Sequence, residues 1–93
     1  MTPFEILVYQ ETKSIAPGRV KTYKEIAVAI GRPLASRAVG NALYNNTDPN
    51  VPCHRVVRSG GAIGGFRYGT QKKKTLLKKE GVLVIGSCVL FKK

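Results

Sequence analysis

Within Val51-Pro52-Cys53-His54-Arg55-Val56-Val57, a thiol, an imidazole and a guanidinium follow one another directly. A cysteine is a useful nucleophile only as thiolate, which requires a base or positive surroundings; His54 and Arg55 offer one of each. Adjacent side chains diverge, by about 180° on a strand and ~100° on a helix. A direct Cys53–His54 hydrogen bond is therefore awkward, and a bridging water is the better proton path. His54 then needs an acidic partner to fix its tautomer and stabilise its charged form, and Glu80, at the end of a later helical segment, is the leading candidate. The same residues are compatible with a merely buried thiol, and taken alone they leave both readings open. Cys88 lies within an apolar run and reads as an inert core thiol. No disulfide is expected without a secretory start, and Pro3 and Glu5 beside Met1 do not form one. A single His and no Cys-x-x-Cys spacing argue against a metal site.

The elements that must hold these groups are mostly helical. Thr2, Pro3 and Glu5 form a capping-box start; Phe4, Leu7, Val8 and Ile15 then recur at helical spacing until Pro17-Gly18. Thr22 with Glu25 opens a second helix whose Ile26, Ala27 and Ile30 share a face, ended by Gly31 and Pro33. The stretch from Ala35 to Asn45 reads as a third, with Val39, Ala42 and Leu43 inward. Two helices joined by a short Gly-containing turn suggest a helix-turn-helix, although the periods fit a small bundle equally. Residues 46–69 lack helical period and hold one short strand candidate, Arg55 to Arg58, beside a glycine-rich loop. A loop this long in so small a domain is more often functional than idle. Thr70 is read as the cap of a helix running through Glu80. Its first turn carries Lys72, Lys73 and Lys74, against the helix dipole; they are either a solvated patch or a partner for an anion. Val82–Ile85 and Cys88–Phe91 flank Gly86-Ser87 as a hairpin.

The chain has 93 residues, enough for one domain, and its 43% apolar content suits a folded core. No apolar run approaches the ~20 residues of a membrane span. Sixteen Lys and Arg against five Asp and Glu give a formal charge of +11. Such self-repulsion does not help folding, and a polyanionic partner explains it. Nucleic acid is the first choice. An anionic membrane surface fits less well, because no segment pairs a basic face with a large aromatic one. The chain reads as soluble and intracellular, a monomer acting in the cytoplasm or nucleoid, or in the nucleus of a eukaryote.

The motif PCHRVV (52–57) resembles the active-site motif of the O6-alkylguanine-DNA alkyltransferases, the methylated-DNA–protein-cysteine methyltransferases. GRVKTYKEIA (18–27) is similar to the entry of that family's helix-turn-helix, and SRAVGNAL (36–43) to its recognition helix. SGGAIGGF (59–66) is similar to the loop after the active site, and LLKKEG (76–81) to the helix ending in the family's glutamate. The resemblance covers nearly the whole chain. It implies a mainly α fold with a short β element, a winged-helix, helix-turn-helix-like domain corresponding to the family's C-terminal domain. The single domain would then span residues 1–93, without the N-terminal domain that the family commonly has.

By this resemblance Cys53 is the alkyl acceptor, His54 the base acting through water, and Glu80 the acid that orients it. Asn46 supports the active-site turn, and the Tyr23 hydroxyl donates to the guanine ring as charge builds there. Arg37 is the finger that enters double-stranded DNA in place of the flipped nucleotide, from the minor groove, and Ser59 contacts a phosphate. Lys24, Arg32, Ser36, Ala38, Gly40, Asn41 and Tyr44 complete the DNA-facing set. The backbone around Val56 and Arg67 borders the base pocket, where Phe66 stands in place of the tyrosine of many members. Arg67 replaces a small residue: either its backbone N–H still serves O6 or its side chain narrows the pocket, and the preference between methyl and bulkier alkyl groups stays open. The implied reaction is a displacement at carbon: Cys53 thiolate attacks the alkyl group of O6-alkylguanine, guanine leaves through oxygen, and a proton supplied near Tyr23 neutralises it. Neither metal nor cofactor is needed, and the stable thioether leaves each molecule spent after one lesion.

The physics of the third helix agrees. Arg37, Gly40, Asn41 and Tyr44 share a face at i, i+3, i+4 and i+7, and an alkylated base in a duplex must be extruded at a cost of a few kcal/mol. Gly40 with Ser36 and Ala38 permits close approach to a minor groove, or alternatively tight helix packing; a major-groove reader usually carries several long hydrogen-bonding side chains. The competing function is a non-reactive alkyltransferase-like protein that binds O6-alkylguanine and recruits excision repair. Members of that group lack the acceptor cysteine and commonly carry tryptophan there, whereas this chain has Cys53 and no Trp. A plain helix-turn-helix regulator leaves Tyr23, Arg37, Cys53-His54 and Glu80 unexplained together, and a thiol hydrolase lacks any marked oxyanion hole.

Overall fold

The computed structural model describes residues 1–90. Helix α1 (Pro3–Lys13) starts as expected: the Thr2 hydroxyl accepts from the Glu5 N–H at 3.1 Å, and Glu5 returns the bond to the Thr2 N–H at 2.9 Å. Its inward face is Val8, Tyr9 and Thr12. Of the apolar residues read at helical spacing, Val8 is buried, Phe4 packs against the core and Ile15 enters it from beyond the helix, whereas Leu7 is exposed. Tyr9 and Thr12, polar residues on the inward face, bond inside: the Tyr9 hydroxyl donates to the Ala42 carbonyl at 2.7 Å, and Thr12 donates to Val8 one turn back.

Strand β1 (Lys21–Thr22) runs directly into α2 (Tyr23–Ala29). Thr22 serves both elements: it pairs in the sheet and forms the second capping box with Glu25. A turn leads to α3 (Ser36–Tyr44), whose Val39, Ala42 and Leu43 are buried as the sequence predicts. Helices α1, α2 and α3 close around Val8, Ile26, Ala27, Val39, Leu43 and Val56. Each fully buried Ile or Val contributes roughly 1.5–3 kcal/mol.

A 3₁₀ turn (Cys53–Arg55) leads into β2 (Val56–Val57), which pairs in parallel with β1 in the register Lys21↔Val56 and Thr22↔Val57. The strand expected over Arg55 to Arg58 is thus only its central two residues. Helix α4 (Thr70–Lys79) carries a second small core of Val57, Ile63, Leu77, Val82 and Val89. Thr70 is its first residue and not its cap. Gly69 takes the cap position at φ +96°, and its carbonyl already accepts from the Lys73 N–H. The hairpin is β3 (Val84–Ile85) against β4 (Cys88–Val89), shorter than expected, and Phe91 lies outside the described residues. Cys88 is exposed, not a core thiol. In a strand successive side chains face opposite ways, and here Val89 takes the inner side.

The fold is mainly helical with a short β element, a helix-turn-helix of winged-helix type. Among the described residues no helix is long and apolar enough to cross a membrane.

Candidate active site

The β1–β2 pairing places the start of α2 beside the Cys53 turn, although 30 residues of sequence separate Tyr23 from Cys53. The turn is fixed by its own backbone, with the Cys53 N–H donating to the Val51 carbonyl at 2.8 Å and the Arg55 N–H to Pro52 at 2.9 Å. Asn46, buried just beyond α3, ties this turn to the helix. Its amide donates to the Asp48 carbonyl at 3.1 Å and lies 3.8 Å from Cys53 Sγ, while its side-chain oxygen accepts from the Asp48 N–H. One helix therefore ends on the sulfur and presents its other side to solvent.

Behind the turn, His54 Nε2 lies 3.0 Å from Glu80 Oε1. Burial acts to push the Glu80 carboxyl up, but hydrogen bonds from Arg55 and His54 outweigh it and hold the carboxyl below its usual range. Burial pushes His54 below its ordinary value, with Glu80 pulling it back up only in part and Arg55 and Lys73 adding to the fall. Near neutral pH the pair is thus a carboxylate and a neutral imidazole. A carboxylate only accepts, so Nε2 carries the proton and Nδ1 keeps its lone pair. That is the tautomer a base acting through water requires. Arg55 does not face the thiol as positive surroundings; its guanidinium grips both Glu80 oxygens and donates to the Ile15 carbonyl at 2.7 Å. Bidentate pairs of this kind fix geometry as well as charge.

In front of Cys53 opens a cleft of about 550 Å³. Arg37, Gly40, Asn41 and Tyr44 of α3 form one wall with Ser36; Tyr23 and Lys24 of α2, Ser59, Phe66 and Arg67 are among the other walls. Lys24, Arg37, Arg58 and Arg67 line it with no acidic side chain, so its field attracts anions. A carbon added to Gly40 would meet the Tyr23 ring only at ordinary contact distance, 3.9 Å. Packing inside the domain therefore does not require glycine there. Arg67 spans the cleft: its Nη1 donates to the Tyr44 carbonyl at 3.3 Å, joining the loop to the α3 end. A second cleft of about 580 Å³ shares Cys53 and Phe66 with the first. Phe66 meets Tyr68 edge-on, with centroids 5.5 Å apart.

Three of the residues expected to face DNA or the base are not walls of the first cleft. Val56 is fully buried in the core, because its strand pairs inside the domain. Ala38 and Arg32 are exposed, Ala38 on another side of α3 and Arg32 in the preceding turn. Conversely, Arg58 and Gly65 line the cleft unforeseen, and Lys73 is not a solvated side chain but fully buried, its Nζ 3.4 Å from the Tyr23 hydroxyl. Its spacing from Leu77, one turn along the inner face of α4, is the signal that could have revealed it. Burial raises Tyr23 above its ordinary value, so its hydroxyl keeps its proton and can donate. Gly64 makes room for that hydroxyl: at φ +74°, an added carbon there would sit 3.2 Å from it.

The family model described as 6-O-methylguanine DNA methyltransferase, DNA binding domain, matches residues 3–82. A methylated-DNA–protein-cysteine methyltransferase of Methanosarcina acetivorans is 47% identical over 83 residues, which cover 86% of this chain and 52% of that one. Among solved structures, Mycobacterium tuberculosis OGT in complex with DNA superposes with a TM-score of 0.83 at 40% identity, covering 86% of this chain and 50% of that one. Atl1 of S. pombe, in complex with damaged DNA containing O6-carboxymethylguanine, superposes at 0.87 with 34% identity, covering 99% of this chain and 91% of Atl1. The chain spans about half the length of the curated methyltransferases it matches. With a family model covering most of its length, this chain belongs to the 6-O-methylguanine DNA methyltransferase, DNA-binding domain family.

Proposed function

We propose that this domain repairs DNA by direct reversal, moving the alkyl group of an O6-alkylguanine irreversibly onto Cys53. The observation that carries the reading is the place of that sulfur. It lies in the wall of a cation-lined cleft, with His54, held below its ordinary value by burial, beside it in the turn and Glu80 3.0 Å from His54 Nε2 behind. The thiol proton passes through water to His54 Nδ1, the thiolate attacks the alkyl carbon, and the C–O bond breaks toward guanine. Tyr23 donates to the departing ring. The domain corresponds to the reactive, C-terminal half of its longer relatives and acts as a monomer, wherever the cell keeps its DNA.

In this reading double-stranded DNA lies along α3 with its minor groove, the cationic walls hold phosphates, and the flipped base enters between Tyr23 and the Phe66 loop. Incubation with a duplex carrying O6-methylguanine adds one methyl to the peptide containing Cys53, read by intact mass and peptide mapping. Cys88, an exposed thiol, is the internal control; a methyl found there would refute the assignment. Arg37 fills the gap left by the extruded base. Arg37→Ala therefore slows repair by on the order of 10–100-fold, the equivalent of the ~1.4–3 kcal/mol of lost support for an unstacked base. Its loss in affinity for undamaged duplex is only a few-fold, and equal losses would count against the finger.

One observation favours a second reading: Atl1, solved with DNA containing O6-carboxymethylguanine, superposes on this chain with a TM-score of 0.87 at 34% identity. A binding module would hold O6-alkylguanine DNA tightly with no change in mass. The presence of Cys53 supports transfer instead.

A further inference from the structure

Lys73 is fully buried, and no Asp or Glu among the described residues pairs with it. Burying an unpaired ammonium is expensive, so its few contacts matter. Nζ donates to the Gly65 carbonyl at 3.2 Å and to the Tyr23 hydroxyl at 3.4 Å, and sits 5.7 Å from the centre of the Tyr23 ring. An ammonium has three donors and no acceptor. The phenol oxygen must therefore accept from Lys73, and its own hydrogen must point elsewhere. Tyr23 and Gly65 both line the cleft that holds Cys53.

We infer that Lys73 is a positioning residue and proton reserve for Tyr23: it turns the tyrosine hydrogen into the cleft and replaces that proton once it has been given to the guanine. The inference rests on the alkyl-transfer reading above. In the step, the S–C bond forms as the C–O bond breaks, and the electron pair leaves on guanine. The Tyr23 proton passes to a ring nitrogen, an ammonium proton of Lys73 passes to the phenolate oxygen, and the resulting neutral amine is reprotonated by water. No oxidant or further reactant enters.

The charged form is the working form, and it is available in a defined window. Burial brings the Lys73 ammonium down from 10.5 to about 8, with Cys53 pulling it up and Arg58 pushing it further down. The titratable or charged groups around it are Tyr23 from α2, Cys53 and His54 from the 3₁₀ turn, and Arg58 beyond β2. Below about pH 8 the reserve is loaded, and above it the proton is lost.

The test is the single-turnover transfer rate on O6-methylguanine duplex as a function of pH, for wild type, Lys73→Met, Tyr23→Phe and the double variant. The wild-type rate falls on the alkaline side with a midpoint near pH 8. Lys73→Met is slower at neutral pH by on the order of 10–100-fold, below the ~10²–10⁴ of a direct general acid, and lacks the alkaline fall. Tyr23→Phe also lacks that fall, and adding Lys73→Met to it slows transfer by less than about twofold, as expected for two groups acting as one unit. If Lys73 only braced the Gly65 loop, the two effects would multiply and the alkaline fall would persist in Tyr23→Phe; either result overturns the inference while leaving alkyl transfer intact. The wild type and Tyr23→Phe comparison decides even if Lys73→Met does not fold. Absence of transfer by the wild type at every pH overturns both readings.

Discussion

Cys53→Ser takes up no methyl group from O6-methylguanine DNA at any incubation time, yet binds that DNA within about threefold of the wild type, a difference below ~0.7 kcal/mol. The substitution exchanges one atom, so the Asn46 contact, the 3₁₀ turn and the cationic cleft all persist. What disappears is the nucleophile. A serine hydroxyl does not ionise near neutral pH, and a neutral imidazole acting through water is a weak means of forcing it. Intact mass reads the transfer and a fluorescence binding titration reads the affinity. Loss of both would make Cys53 a structural residue of the DNA site, and retained transfer would place the acceptor elsewhere.

Glu80→Gln carries the second large effect, because one carboxylate holds both a guanidinium and a neutral imidazole in place. The His54, Arg55 and Glu80 side chains are 13%, 14% and 18% exposed, so removing the charge leaves a largely buried guanidinium without its partner. Breaking such a pair costs about 3–5 kcal/mol when fully buried, and roughly 2–4 here, where some water reaches it. In a domain this small that lowers Tm by roughly 10 °C or more. The transfer rate falls further than instability explains, by on the order of 10²-fold or more. The reason is that glutamine can offer either an acceptor or a donor to Nε2, and the wrong choice puts the proton on Nδ1. Unchanged single-turnover rates in folded Glu80→Gln would remove Glu80 from the mechanism.

The same groups set the acid limit. His54 is held below 6.5 when folded, so as pH falls through that region the unfolded chain binds a proton that the native one resists, and stability declines. Glu80 is held below 4.5, so its contribution, complete above that value, is lost as pH falls further. Both act in one direction. Glu80→Gln abolishes the lower part of the decline, which a melting series carried from neutral pH down to about pH 2.5 would register.

Much was legible from the residues because the signals are local. Capping needs a hydroxyl and a carboxylate three positions apart, and both Thr2–Glu5 and Thr22–Glu25 form as expected. The inward stripe of α3 follows from its period, as does the outward row from Arg37 to Tyr44 that lines the cleft. Glu80 was reached as the needed acid partner of His54, and it is bonded there. The motif around Cys53 declared a reactive thiol only through its resemblance to a family, since a thiol beside an imidazole is chemically ambiguous until its surroundings are known.

What only tertiary structure decided is set by contacts between distant segments. Nothing local marks Lys21–Thr22 as a strand; two residues hold that shape because Val56–Val57 arrive beside them, and this pairing brings Tyr23 to the Cys53 turn. Val56 went inward and Cys88 outward because strand pairing, not apolar character, assigned their faces. Arg55 turned from the thiol to Glu80, since a carboxylate within reach outbids a neutral sulfur for a guanidinium. Lys73, in a run of three lysines, was drawn inside because its helix face already belonged to Leu77 and to the back of Tyr23. Sequence determined which chemistry was on hand and which helices would carry it; the direction each charged side chain faces depended on partners tens of residues away, and a one-dimensional pattern does not record them.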